Sequence, residues 1–222
     1  MMHALIFAAG RGERMRPLTD ATPKPLLQAG ARRLIEWHLQ ALARAGVREV
    51  MINTSHLAGQ FPSTLGDGRR WDLRIRYSYE GPEPLETGGG MLRALPLLGD
   101  APFIAVNGDI FTDFDFSALP QTPHGLAHLI VVDNPPQHPQ GDFVLRDGLL
   151  HDEPEPRLTF AGIGVYRPEL LAGQAPGKFG IVPVLRAAMR TSKVSGEHYR
   201  GAWTDVGTPQ RLAELDARLR SQ

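Results

Sequence analysis

Short apolar runs alternate with helix-period stretches along most of this 222-residue chain. Ala4-Leu5-Ile6-Phe7 predicts a buried strand over about 4–8. Residues 33–45 put Leu34, Ile35, His38, Leu39 and Leu42 on one helical face, and Gly46 ends that helix. A strand near 49–53 and a short helix near 57–65 follow; residues 73–78 alternate as a half-buried strand does. Thr87-Gly88-Gly89-Gly90 opens a helix over roughly 91–98, and Phe103-Ile104-Ala105-Val106 is a buried strand ending at Asn107-Gly108-Asp109. Further strands are predicted at 126–132 and 161–166, with a hairpin of 143–145 and 148–150 around Asp147-Gly148. Residues 182–190 and 209–220 read as helices, the second with Thr208 as cap and Pro209 at its first position. Strands that alternate with helices predict an α/β protein with a mostly parallel sheet, here as one domain over 1–222.

Composition narrows the function classes. Lys plus Arg equals Asp plus Glu at 24 each, so the broad basic surface that suits nucleic acid or an anionic membrane is not expected. With no cysteine there is neither a disulfide framework, a thiolate metal site nor a cysteine nucleophile. The first ten residues are apolar but lack a basic leader, and Arg11 cuts the run short. Neither a signal peptide nor a membrane span is predicted, which makes the cytoplasm the default location.

The neutral charge makes one stretch stand out. Residues 7–26 join the first strand to a small-residue loop, Ala8-Ala9-Gly10-Arg11-Gly12, and then to Arg14, Arg16 and Lys24. Ala and Gly at a strand end let a ligand approach the backbone, and free N–H groups in such a loop bind anions. The loop is not a P-loop, because no Lys-Ser or Lys-Thr follows Gly12. It is not the G-x-G-x-x-G dinucleotide fingerprint either, because Met15 occupies the third glycine position. A second candidate is Asp109, at the end of an apolar strand where open α/β sheets hold their ligands. A carboxylate there is a natural Mg²⁺ ligand; alternatively it caps the Asn-Gly-Asp turn.

The whole of 7–26 resembles the signature of the sugar-1-phosphate nucleotidyltransferases, A-A-G-x-G-x-R-M/L-x-P-L-T followed by P-K-P-L. Ala8, Ala9, Gly10, Gly12, Arg14, Met15, Pro17, Leu18, Thr19, Pro23, Lys24, Pro25 and Leu26 all match. Val106-Asn107-Gly108-Asp109 resembles the family's strand-G-D motif, and Gly201-Ala202-Trp203-Thr204-Asp205-Val206-Gly207-Thr208-Pro209 its late G-x-W-x-D-[IV]-G-T-P. The resemblance implies a three-layer, Rossmann-like nucleotidyltransferase fold with a mostly parallel mixed sheet. It implies a reaction of sugar 1-phosphate with nucleoside triphosphate, giving nucleotide sugar and pyrophosphate.

Residue by residue, the resemblance puts Ala8, Ala9, Gly10, Gly12, Glu13, Arg14 and Lys24 on the nucleotide, with Arg14 and Lys24 catalytic. Asp109 and Asp205 become the Mg²⁺ ligands. Glu80, Glu86, Thr87 and Gly88 fall at the base, where a run of three glycines suggests that a base or ribose passes close to the backbone. On the sugar phosphate side the matches are looser: Asn107, Asp142, Glu155 and Gly162. The family's E-E-K-P element is degraded to Asp152-Glu153-Pro154-Glu155-Pro156 and lacks its lysine, so either Lys178 or Arg157 takes its place or the sugar phosphate relies on the metal. His38 and the three tryptophans read as packing residues.

Within the family, Leu-Glu-Thr-Gly-Gly-Gly (85–90), Val-Asn-Gly-Asp and Ser195-Gly196-Glu197-His198-Tyr199-Arg200-Gly201 resemble members of cell-wall recycling. Those members use UTP and a bulky sugar 1-phosphate with a lactyl ether. Guanylyl transfer to mannose 1-phosphate is the alternative within the family. A sugar-nucleotide sensor without turnover is the alternative outside it, and such a sensor is expected to lose Lys24 or an aspartate, all of which are present.

Overall fold

A computed structural model describes residues 2–154 and 156–221. Its strands are β1 (His3–Phe7), β2 (Gln28–Ala29), β3 (Arg32–Arg33), β4 (Glu49–Thr54), β5 (Arg74–Tyr79), β6 (Phe103–Asn107), β7 (Ile110–Thr112), β8 (Ala127–Val132), β9 (Val144–Arg146), β10 (Leu149–His151), β11 (Thr159–Tyr166), β12 (Val194–His198) and β13 (Trp203–Asp205). Its helices are α1 (Leu18–Ala21), α2 (Leu34–Arg44), α3 (Gln60–Leu65), α4 (Glu86–Leu98), α5 (Ile181–Met189) and α6 (Pro209–Arg220).

Nine strands form one mixed sheet in the order β5-β4-β1-β6-β11-β8-β12-β10-β9. All run one way except β11 and β10. The block β5-β4-β1-β6 is wholly parallel, so four strand ends meet at one edge of the sheet. Both faces of β1 are buried: Ala4 and Ile6 pack into one core cluster and Leu5 into another. The first cluster lies under α2 and α3 through Leu39, Leu42, Phe61 and Leu65. The second lies under α4 and α5 through Met91, Ala94, Leu98 and Leu185, which gives three layers.

Most predicted elements are present within two residues of their predicted ends, and three differences matter. The helix predicted at 91–98 begins at Glu86 and contains Gly88, Gly89 and Gly90. Glycine is a poor helix former, but here tertiary packing overrides propensity, as described below. An interior strand, β12, parallel to β8 and antiparallel to β10, has the sequence Val-Ser-Gly-Glu-His and carries no apolar alternation. The short ladder of β7 with β13 sets Asp205 opposite Ile110, next to Asp109. Thr208 caps α6 as expected, its side chain accepting from Arg211 N.

Candidate active site

The parallel block ends in a cavity of about 720 Å³. Its wall includes Ala8, Ala9, Gly10, Gly12, Glu13, Arg14, Lys24, Glu80, Glu86, Thr87, Asn107 and Asp109. It also includes Arg11, Asn53 and Lys178. Strand ends in a parallel sheet are where ligands bind, because the loops there diverge and leave backbone groups free.

The loop after β1 is held open from behind. Gly12 has φ +64°, a left-handed conformation that suits glycine. Thr19 Oγ1 donates to Gly12 O (2.8 Å), and Met15 N closes a tight turn onto the same oxygen (2.8 Å). The N–H groups of Gly10, Arg11 and Gly12 have no acceptor among the described residues, and a Cβ on Gly10 would meet open space. Arg14 lines the cavity with no salt-bridge partner among the described residues. Arg16 instead pairs with Asp20 on the surface (3.2 Å), so it stands outside the cationic group that the sequence suggested.

Lys24 is buried, and its Nζ lies 2.7 Å from Asp109 Oδ2. Beneath them, fully buried His38 puts Nε2 2.9 Å from Ile110 O. Burial lowers the pKa of this imidazole to about 4, so the ring is neutral and its N–H ties α2 to the strand after Asp109. His38 is thus the satisfied core histidine that its apolar helix face predicts.

Asp205 lies one strand away, and Val206 N donates to Asp109 O (2.8 Å). Its Oδ1 accepts from Arg211 Nη1 and Gln137 Nε2. Asp109 Oδ1 and Asp205 Oδ2 have no hydrogen-bond partner among the described residues. Two carboxylates with one free oxygen each suit a hard divalent cation. No group of three or more His, Cys, Asp or Glu is set to hold a metal among the described residues, so further ligands would come from water and phosphate.

The other end of the cavity carries Glu80, Glu86 and Thr87. Glu80 is a pin: Oε1 accepts from Asn53 Nδ2 (2.6 Å) and Oε2 from Leu85 N (2.7 Å). Asn53 Oδ1 in turn accepts from Ala8 N (2.6 Å), so one hydrogen-bonded chain joins the ends of β1, β4 and β5 to the start of α4. Burial raises the pKa of Glu80 against the pull of these donors. Sequence reasoning missed Asn53, although a polar side chain ending a buried strand was a usable signal. Glu86 has φ +62°, which is uncommon for a residue with a side chain and recurs at functional sites.

Gly88 does not line the cavity. Phe179 O accepts from Gly88 N (2.9 Å) and Gly89 N (3.0 Å), and Thr87 Oγ1 accepts from Ile181 N (3.0 Å). The starts of α4 and α5 therefore cap each other. A Cβ would meet the Phe179 ring at Gly88 (2.4 Å), Gly177 O at Gly89 (2.1 Å) and Glu80 Oε1 at Gly90 (2.3 Å). Packing within the protein accounts for all three glycines without a ligand.

The sugar-side residues are scattered. Asp142 accepts from Phe160 N (2.8 Å), faces His138 and does not line the cavity. Gly162 also lies off the cavity wall but packs on Asn107, where a Cβ would meet Nδ2 at 2.6 Å. Glu155 lies outside the described residues. Arg157 donates to Glu153 O (2.5 Å) and faces Asp152 (3.5 Å), whereas Lys178 lines the cavity without a salt bridge among the described residues.

Comparison with known proteins bears on this geometry. Residues 3–143 match the family described as Nucleotidyl transferase. The chain belongs to that family. It is 50% identical to the N-acetylmuramate alpha-1-phosphate uridylyltransferase of Neisseria meningitidis serogroup B, over 97% of each chain. It is 31% identical to the enzyme of the same name from Caulobacter vibrioides, over 97% of this chain and 96% of that one. A Bacillus anthracis crystal structure assigned to glucose-1-phosphate thymidylyltransferase superposes with a TM-score of 0.87 at 20% identity, covering 100% of this chain and 96% of the other, which shows the shared fold. The Rossmann-like nucleotidyltransferase fold is therefore as expected. No helix among the described residues is long and apolar enough to cross a membrane.

Proposed function

We propose that this nucleotidyltransferase moves a uridylyl group from UTP to N-acetylmuramate 1-phosphate, releasing pyrophosphate, in cell-wall recycling. The observation that carries the substrate choice is the end-to-end 50% identity to the Neisseria uridylyltransferase. Within that reading, the chemistry follows from the cavity wall. One oxygen of the sugar phosphate forms a bond to the α-phosphorus as the bond from that phosphorus to the bridging oxygen breaks, and pyrophosphate leaves. A phosphate dianion is nucleophile enough, so no side chain need attack and no proton need move.

Charge is the obstacle. The two substrates bring up to about six negative charges together, from phosphates with second pKa near 6. Each like pair at 4 Å costs about 4 kcal/mol at an effective dielectric near 20. Arg14, at the cavity wall and unpaired among the described residues, is assigned to the β- and γ-phosphates and the leaving pyrophosphate. Lys24, its ammonium fixed by Asp109, is assigned to the α-phosphate and the attacking phosphate. Asp109 and Asp205 would hold Mg²⁺, which when bound neutralises α-phosphate charge. The free N–H groups of Gly10 to Gly12 are assigned to phosphate oxygens. Glu80, Glu86 and Thr87 are assigned to the nucleoside, and Lys178 rather than Arg157 supplies the missing cation, since Arg157 is held by Glu153 and Asp152.

The test is pyrophosphate release with Mg²⁺, crossing UTP, GTP, CTP, ATP and dTTP against N-acetylmuramate, N-acetylglucosamine, glucose and mannose 1-phosphates. Fast release is expected with UTP and the muramate sugar. Release with GTP and mannose 1-phosphate instead would overturn the substrate choice, and nucleotide binding without release from any pair would overturn catalysis.

A further inference from the structure

Asp109 and Asp205 share a pattern. Their backbones are joined through Val206 N on Asp109 O and the β7–β13 ladder; Asp205 itself is off the cavity wall, but Gly207, beside its Oδ2, lines the cavity with Asp109. On each carboxylate a cation holds one oxygen and leaves the other unbonded among the described residues. Lys24 Nζ holds Oδ2 of Asp109, and Arg211 Nη1 holds Oδ1 of Asp205.

Arg211 is built into this position. It lies in the first turn of α6, and its Nε approaches Thr208 Oγ1, the cap of that helix (3.4 Å). Gly207 makes room for it: a Cβ there would meet Arg211 Nη2 at 2.4 Å and Asp205 Oδ2 at 2.9 Å. The Arg211 side chain is 17% exposed, against 64% for Arg220 in the last turn of the same helix. The pair is thus drawn out of solvent, where screening is weak.

The charges sum to zero: two carboxylates, one lysine, one arginine. A divalent cation approaching the pair without nucleotide meets two carboxylates already neutralised and a guanidinium beside one of them. Nucleotide phosphates would tip that balance, because they add negative charge and oxygen ligands together. We propose that Arg211 is a positioning residue that clamps Asp205 by one oxygen and keeps the carboxylate pair neutral until nucleotide binds, so that divalent metal binding depends on the nucleotide. This rests on the assignment of Asp109 and Asp205 as metal ligands.

The test titrates Mn²⁺ alone, without nucleotide, into the protein and follows free Mn²⁺ by electron paramagnetic resonance. Arg211→Met is expected to bind Mn²⁺ at least tenfold tighter than wild type. Adding Asp205→Asn to that variant is expected to remove the gain. Arg211→Lys, which keeps the charge, is expected to stay within about twofold of wild type. So is Gln137→Ala, which removes the neutral donor on the same oxygen. Arg211→Gln makes the same charge change with an amide still able to hold Oδ1, and serves if Arg211→Met does not fold. Binding in the charge-removing variants no tighter than in wild type overturns the role of Arg211, as does an equal gain in Gln137→Ala. Wild-type turnover that persists with a metal chelator overturns the metal assignment and this inference with it.

Discussion

Two glycine-rich segments, one on the cavity wall and one just behind it, do opposite work. At Gly10 a Cβ would enter open space, and the N–H groups of Gly10, Arg11 and Gly12 are unclaimed among the described residues. At Gly88, Gly89 and Gly90 a Cβ would strike Phe179, Gly177 O and Glu80, and two of the N–H groups are held by Phe179 O. In the proposed reading, the first segment is small so that a ligand can come close. The second is small because the protein itself comes close. A glycine run in a sequence reports close approach but does not say what approaches.

The largest effect expected from this contrast is on the ligand side. Lys24→Ala should lower kcat roughly 10²–10³-fold, the usual loss when one preorganised group is taken from developing charge. An unchanged kcat at saturating substrate would remove Lys24 from the transition state. Asp109→Asn should abolish turnover; near-normal rates at saturating Mg²⁺ would sink its metal role.

Next comes the support beneath Asp109. The pKa of His38 is lowered from 6.5 to about 4, so the folded state holds the neutral ring while the unfolded chain takes a proton at pH 6.5. Its contribution to stability is complete above pH 6.5 and lost as pH falls to 4, roughly 3 kcal/mol in all. Urea unfolding should show a shallower acid loss in His38→Asn than in wild type; parallel profiles would refute the buried neutral ring.

The two glycine segments then separate cleanly. Gly89→Ala should cost roughly 1–3 kcal/mol of stability, because the methyl runs into backbone at Gly177. Gly10→Ala should leave the melting temperature unchanged and raise KM for the nucleotide. The contrast fails if Gly89→Ala melts like wild type or if Gly10→Ala loses stability. Smallest is the cap of α6: Thr208→Ala should cost about 1 kcal/mol in thermal unfolding, and a neutral change would show that Pro209 alone starts the helix.

The same contrast marks what a sequence can tell. The stretch from Ala8 to Lys24 was legible because chemistry and local geometry coincide there: strand, left-handed Gly12, cations. Thr208 was legible because a cap is a local event. The β7–β13 ladder was not: its three-residue strands are too short for periodicity to register and, unlike β9 and β10, they are not joined by an Asp-Gly turn. Neither was β12, whose Ser195, Gly196 and Glu197 are chosen by its neighbours in the sheet. Asp142 looked like a sugar ligand, but its carboxylate accepts from Phe160 N, an acceptor role fixed by a partner 18 residues away. Residues that answer to a distant partner are the ones that the sequence leaves unread.

In the proposed reaction, transfer is direct, carried by charge and position with no enzyme nucleophile. Exchange of labelled pyrophosphate into UTP, in the absence of any sugar phosphate, tests this most directly. No exchange is predicted, because in direct transfer no group on the protein takes the uridylyl group. Exchange at a rate comparable to turnover would mean a uridylylated enzyme and would contradict the account.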